Sequence, residues 1–119
     1  MKKLIPLVVA AACLWPQQAS AEGFYTGAVV YDKCMADKGS KFYSQRSAGC
    51  MDYISGVFDT LILNYGAGRG ESFCPPGQLT LGQVVDMVRR HMAAHPESRQ
   101  LDAASVVATP LLAAFKCTR

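Results

Sequence analysis

The stretch SQRSAGCMDYISGVFDTLILNY, residues 44–65, has the clearest hydrophobic period in this chain of 119 residues. Its apolar residues recur at spacings of three and four, the repeat of an α-helix with one face in a core. That face consists of Cys50, Tyr53, Ile54, Val57, Phe58, Leu61, Ile62 and Tyr65. A glycine inside a helix is unfavourable by about 1 kcal/mol against alanine, so we expect Gly49 and Gly56 to admit the close approach of another backbone.

The segments on either side of this helix also have patterns that predict their structure. Upstream, Thr26 can cap a helix that runs to about Asp37, before Gly39 breaks it. Downstream, the glycine-rich residues 66–71 end the long helix, and residues 72–77, with two prolines, cannot be regular structure. The sequence therefore predicts one helix before the long one and a long loop after it.

Two more helices are predicted in the C-terminal half. Thr80 and Gln83 have the spacing of a capping box, and Asp102 can cap a last helix that Pro110 should kink. The predicted inward residues are Leu81, Val84, Val85, Val88 and Met92 in the first of these helices, and Ala104, Val107, Leu111 and Phe115 in the second. No alternating strand pattern occurs, so the predicted fold is all-α, a small bundle of about four helices.

The N-terminus has the pattern of a cleavable secretory signal peptide. Lys2 and Lys3 precede an apolar run over residues 4–15, which is shorter than the roughly 20 residues needed to span a bilayer. The small residues 19–21 predict cleavage between Ala21 and Glu22, leaving one domain over residues 22–119. Lipoprotein processing at Cys13 is the alternative, but the residues before it lack the usual leucine.

The remaining four cysteines predict two disulfides. Cys34, Cys50, Cys74 and Cys117 are an even number in a chain bound for an oxidising compartment. Four cysteines allow three pairings. Antiparallel packing of the first two helices favours Cys34 with Cys50, which leaves Cys74 to join the central loop to Cys117.

Charge and side-chain chemistry argue against several function classes. Ten basic and nine acidic residues remain after Lys2 and Lys3 are removed, without the basic stripe of a nucleic-acid-binding protein or a charge-driven membrane contact. His91 and His95 have the spacing of two metal ligands, but no third ligand is evident. A cysteine–histidine nucleophile needs a free thiol. We therefore expect no catalytic residues, metal or cofactor, and no membrane partner after cleavage.

Several short motifs, in this order, resemble those of the Rap/Tai family. They are residues 23–27 (GFYTG), 31–34 (YDKC), 50–56 (CMDYISG) and 73–75 (FCP), Thr80 with Gln83, His95-Pro96, and residues 114–117 (AFKC). This family comprises periplasmic immunity proteins that protect bacteria from the peptidoglycan amidases of type VI secretion. Asp52 stands where the family tends to have glycine, and Lys116 where proline often precedes the last cysteine.

The resemblance implies a periplasmic, disulfide-bonded homodimer that binds a cognate amidase effector and blocks its active site with a protruding loop. The residues supply a candidate loop after the long helix. Arg69 and Glu71 would be its charged tip, and Tyr65 and Phe73 its aromatic anchors. Two alternatives remain open: a small periplasmic stress chaperone of the HdeA kind, and an orphan member of the same fold with a housekeeping role.

Overall fold

The computed structural model describes residues 22–118, which form four α-helices and one short 3-10 helix but no strand. The elements are α1 (Gly27–Cys34), α2 (Tyr43–Tyr65), α3 (Leu81–Ala94), the 3-10 helix Pro96–Gln100 and α4 (Ala103–Ala114). The predicted all-α fold is confirmed. The predicted signal peptide, residues 1–21, lies outside the described residues. No described helix is both long and apolar enough to span a membrane.

The long helix α2 is the packing platform of the domain. It contacts α1, α3 and α4, and it buries Cys50, Ile54 and Leu61 fully. The prediction that its whole apolar stripe is a core face is wrong at the C-terminal end, where Ile62 is 41% and Tyr65 is 47% exposed. The reason is length: α2 has 23 residues and α4 has 12. At a rise of about 1.5 Å per residue, the last turns of α2 extend beyond the shorter helix α4.

Helix α1 is shorter than predicted and begins differently. It ends at Cys34 rather than near Asp37, whose carboxylate accepts a hydrogen bond from the amide of Gly39 at 3.2 Å. Such a local side-chain bond competes with helix continuation. Thr26 is the N-cap residue, but its side chain makes no capping bond. Its backbone instead forms an isolated antiparallel bridge with Asp102, which attaches the start of α1 to the start of α4.

The capping residues predicted for α3 and α4 are confirmed. Thr80 and Gln83 exchange reciprocal hydrogen bonds of 2.9 and 3.2 Å, and Asp102 accepts from the amide and hydroxyl of Ser105 at 3.0 and 2.6 Å. These bonds to Ser105 lower the pKa of Asp102 below its ordinary value. The prediction of which side chains of α3 and α4 face inward is wrong at two positions, because Leu81 is 40% exposed and Ala104 is exposed.

The α4 register differs from the predicted one by one residue at its start. Ala103 and Val106 are buried together with the predicted Val107 and Leu111. The bridge to residue 26 orients the first turn of α4 so that residue 103 points inward. The helix continues through Pro110 to Ala114.

Both predicted disulfides are present, Cys34–Cys50 and Cys74–Cys117. They close chain segments of 16 and 43 residues. On the chain-entropy model, crosslinks that close segments of these lengths stabilise the folded state by about 3 and about 4 kcal/mol. These contributions are large for a domain with a single small core.

The glycine that admits a close backbone approach is Gly27, not Gly49 or Gly56. A Cβ at residue 27 would overlap the backbone carbonyl of Ser98 in the 3-10 helix, an element that the sequence did not predict. A Cβ at residue 49 would meet only the side chain of Lys33, and one at residue 56 would meet nothing within 4 Å. The packing of α1 on the 3-10 helix therefore requires glycine at position 27.

We expect Gly27→Ala to destabilise the protein by about 1–3 kcal/mol, because the rigid carbonyl of Ser98 cannot move aside without shifting the 3-10 helix. Gly56→Ala is the matched control and should stabilise by about 0.5–1 kcal/mol through its higher helix propensity. Urea denaturation of both variants measures this difference. Equal stability of the two would contradict the close contact.

Candidate functional site

A closed loop, residues 66–72, projects from the end of α2. The amide of Gly66 donates to the carbonyl of Ile62 at 3.0 Å, which completes the last helical turn. The amides of Ser72 and Phe73 then both donate to the carbonyl of Tyr65, at 3.0 and 2.9 Å. The chain therefore leaves α2 and returns to the same residue, so that the loop has a narrow base.

Left-handed backbone shapes the tip of the loop. Gly68 and Gly70 have φ values of 77° and 81°, a region in which glycine has no steric penalty. Glu71 has φ 50°, and it is the one non-glycine residue with positive φ between residues 22 and 118. Such a conformation costs of order 1–2 kcal/mol. Backbone strain of this kind concentrates at functional sites.

The charged side chains at the tip are free to meet a partner. Arg69 and Glu71 are exposed, and neither is in an ion pair among the described residues. At the base of the loop, the exposed apolar side chains of Ile62, Leu63 and Tyr65 add hydrophobic surface, with exposures of 41%, 62% and 47%. An apolar area beside charged, unpaired groups is typical of a protein-binding surface.

Phe73 has a different role from the one predicted. Its ring is 1% exposed and packs edge-on against Phe58 of α2 at 5.4 Å and against Phe115 at 6.0 Å. The prediction that Phe73 is an aromatic anchor for a partner is therefore wrong, because the ring lies in the protein's own core. It fixes the base of the 66–72 loop instead, while Tyr65 keeps an exposed ring beside the loop.

The C-terminal residues hold the same base from the other side. The amide of Cys74 donates to the carbonyl of Phe115 at 2.7 Å, Phe73 and Lys116 form an antiparallel bridge, and Cys74 is bonded to Cys117. The sequence predicted the disulfide but gave no signal for the bridge. Residues 115–117, which we call the C-terminal tail, therefore clamp the loop.

A cleft of about 420 Å³ lies between the 66–72 loop and the C-terminal tail. One wall is formed by Gly70, Glu71 and Ser72, and the other by residues that the sequence did not single out as a site, Leu112 and Lys116, together with Cys117. Glu71 and Lys116 bring opposite charges to the two walls. A second groove, about 510 Å³ and mostly apolar, lies between α2 and α4.

The two histidines lie together at the end of α3. Their rings stack with centroids 4.3 Å apart, and Nδ1 of His95 lies 2.9 Å from the carbonyl oxygen of His91. No group of three or more histidine, cysteine or acidic residues that could hold a metal occurs in the part of the chain that the structure describes. The pKa of His91 is lowered by burial and by the nearby His95, with Glu97 opposing the shift. This pair contributes to packing and electrostatics.

The four cysteines among residues 22–118 are all bonded in disulfides, so none of them is a free thiol. The site as the structure describes it consists of a protruding loop, an exposed apolar base and a cleft.

The sequence model of a family described as Rap1a immunity proteins matches residues 26–117, from the N-cap of α1 to the last cysteine. No curated protein matches the chain.

We expect the stability of the protein to fall as the pH is lowered from about 7.5 to 5.5, in part because of His91. Its folded pKa lies below the unfolded value, which is about 6.5. The unfolded chain therefore binds a proton more readily, and stability is lost as the pH falls through that value. Urea unfolding at both pH values should show a smaller loss for His91→Gln than for the unmodified protein. An equal loss would contradict this role of His91.

Proposed function

Because the chain belongs to the Rap1a immunity protein family, we propose that it binds and inhibits a cognate peptidoglycan amidase effector of type VI secretion. Proteins of this family protect a cell against effectors by binding them, and they are not enzymes. We propose further that inhibition occurs by insertion of the effector loop, residues 66–72, into the active-site cleft of the amidase.

The observation that carries this proposal is the geometry of the effector loop. Both ends of the loop converge on the carbonyl of Tyr65, so that Arg69 and Glu71 project from a narrow base. A narrow, convex element suits a concave catalytic cleft, and such clefts are the usual place for a substrate. A chain segment held in this shape before binding loses little conformational entropy when it enters the cleft.

The loop also has the chemistry of a binding hot spot. The guanidinium of Arg69 can form paired hydrogen bonds with a carboxylate, and the exposed ring of Tyr65 offers a large apolar face with a polar hydroxyl. Tyrosine and arginine are enriched among the residues that dominate binding energies. Glu71 adds a charge of opposite sign, which restricts the set of complementary partners.

We place the protein in the periplasm. The N-terminal pattern over residues 1–21 predicts export, and a domain of this size with two disulfides is typical of an oxidising compartment. Peptidoglycan lies in that compartment as well. Export is therefore a condition for inhibition, because only an exported inhibitor meets an amidase that acts on the cell wall.

The proposed function predicts protection in a co-expression experiment. The product of the adjacent open reading frame is directed to the periplasm, with and without this chain, and lysis is followed by optical density. We expect lysis that is relieved only when residues 1–21 are intact. Lysis that continues despite the exported chain would contradict the proposal.

The loop mechanism predicts that Arg69→Ala with Glu71→Ala weakens effector binding by more than about 1 kcal/mol. The melting temperature should stay unchanged, since both side chains are exposed and unpaired. Asp86→Ala with Arg89→Ala is the matched control, because it also removes one acidic and one basic side chain. These two side chains lie on α3, where Nη1 of Arg89 is 3.9 Å from Oδ1 of Asp86. Isothermal titration and thermal melts distinguish the two double variants. Full affinity of the loop variant would contradict loop insertion.

A further inference from the structure

The two disulfides differ in their exposure to solvent. Cys34 is 5% and Cys50 is 2% exposed, and their disulfide lies between α1 and α2 inside the core. Cys74 is exposed and Cys117 is partly exposed, and their disulfide lies at the cleft below the effector loop. Thiol–disulfide exchange requires that the attacking thiolate reach a sulfur atom. A reductant therefore reaches Cys74–Cys117 first.

The effector loop has few other attachments. Among residues 66–72 only Gly66 is buried, so no side chain of the loop contributes to the core. Its far end is fixed by Phe73 and Cys74, which are paired with the C-terminal tail. The tail in turn lies beyond α4, which ends at Ala114. The disulfide is the covalent link between these two irregular segments.

The helical core does not depend on the Cys74–Cys117 disulfide. Helices α1, α2 and α3 bury Val30, Ile54 and Val88 completely, and α1 is crosslinked to α2 by the other disulfide. Opening Cys74–Cys117 removes a constraint that is worth about 4 kcal/mol, while small domains are typically stable by about 5–15 kcal/mol. The body can therefore stay folded with this disulfide open, when the ring of Phe73, one bridge and one backbone hydrogen bond are all that hold the loop base against the tail.

We propose that Cys74–Cys117 positions the effector loop against the C-terminal tail and that the oxidation state of this disulfide sets the affinity for the effector. This inference rests on the proposed function. In the oxidised protein the loop and the tail form one surface with a fixed cleft between Glu71 and Lys116. In the reduced protein the two walls lose their covalent link and are more mobile relative to each other, and binding has to supply the free energy that orders them.

The redox step balances as an ordinary dithiol oxidation. The thiols of Cys74 and Cys117 lose two protons and two electrons as the S–S bond forms. A disulfide-bonded thiol oxidoreductase accepts both electrons through a mixed disulfide and is left as a dithiol. A chain in which only Cys34–Cys50 has formed has the correct helices but a poor binding surface.

The first test needs no effector. The native protein is treated with increasing dithiothreitol, free thiols are alkylated, and mass spectrometry identifies the modified cysteines. We expect Cys74 and Cys117 to be modified at concentrations that leave Cys34 and Cys50 protected, with the helical circular dichroism signal retained. Simultaneous modification of all four cysteines, or loss of the helical signal with the first pair, would overturn the inference.

Hydrogen exchange then reports on the loop base. In Cys74→Ser with Cys117→Ser, the amides of Ser72 and Phe73 should exchange at least about tenfold faster than in the unmodified protein, because the segment that carries these two donors is no longer crosslinked to the C-terminal tail. Cys34→Ser with Cys50→Ser is the matched control and should leave these two amides protected. Equal protection in both double variants would show that the disulfide does not position the loop.

Binding to the purified product of the adjacent open reading frame completes the test. We expect the variant that lacks Cys74–Cys117 to bind at least about tenfold more weakly, and the control that lacks Cys34–Cys50 to bind within about threefold of the unmodified protein. Equal affinities of the two variants would overturn the inference. If the unmodified protein does not bind, the proposed function fails, while reduction and hydrogen exchange still decide whether the disulfide positions the loop.

Discussion

The burial of one aromatic ring connects the parts of this molecule that would otherwise be independent. Phe73 lies in a segment without regular structure, yet its side chain packs between Phe58 of α2 and Phe115 at the end of α4. Because an aromatic ring of this size contributes a few kcal/mol when it is buried, it fixes the chain around it. This contact sets where the loop base meets the tail, and the disulfide beside it links the two segments covalently.

Much of the fold could be predicted from local sequence. The period of residues 44–65, the capping residues Thr80 and Asp102, and the pairing of Cys34 with Cys50 each rest on interactions within a few turns of helix or across one short connection. The errors occurred where long-range packing decides the outcome. The close approach at Gly27 depends on Ser98, which is 71 positions later in the sequence, and no local pattern records it.

Some features of the candidate site could be predicted from the sequence, and others could not. Glycines at positions 68 and 70 and charges at 69 and 71 mark an exposed loop in the sequence alone. The burial of Phe73 was missed because residues 72–77 lack a hydrophobic period from which an inward face could be deduced. The cleft wall at Lys116 was missed because it exists only through a backbone bridge between segments 43 positions apart. Surface built from two distant segments leaves no signature in either one.

The unequal spans of the two disulfides also set an order of maturation for a chain that crosses a membrane from its N-terminus. Cys50 follows Cys34 by 16 residues, so their bond can close once the first two helices have emerged. Cys117 follows Cys74 by 43 residues, with α3 and α4 between them, and their bond has to wait for nearly the whole domain. On the proposed export and the proposed binding surface, a newly translocated molecule completes the bond beside that surface last, so that competence to recognise a partner is the last property that it acquires.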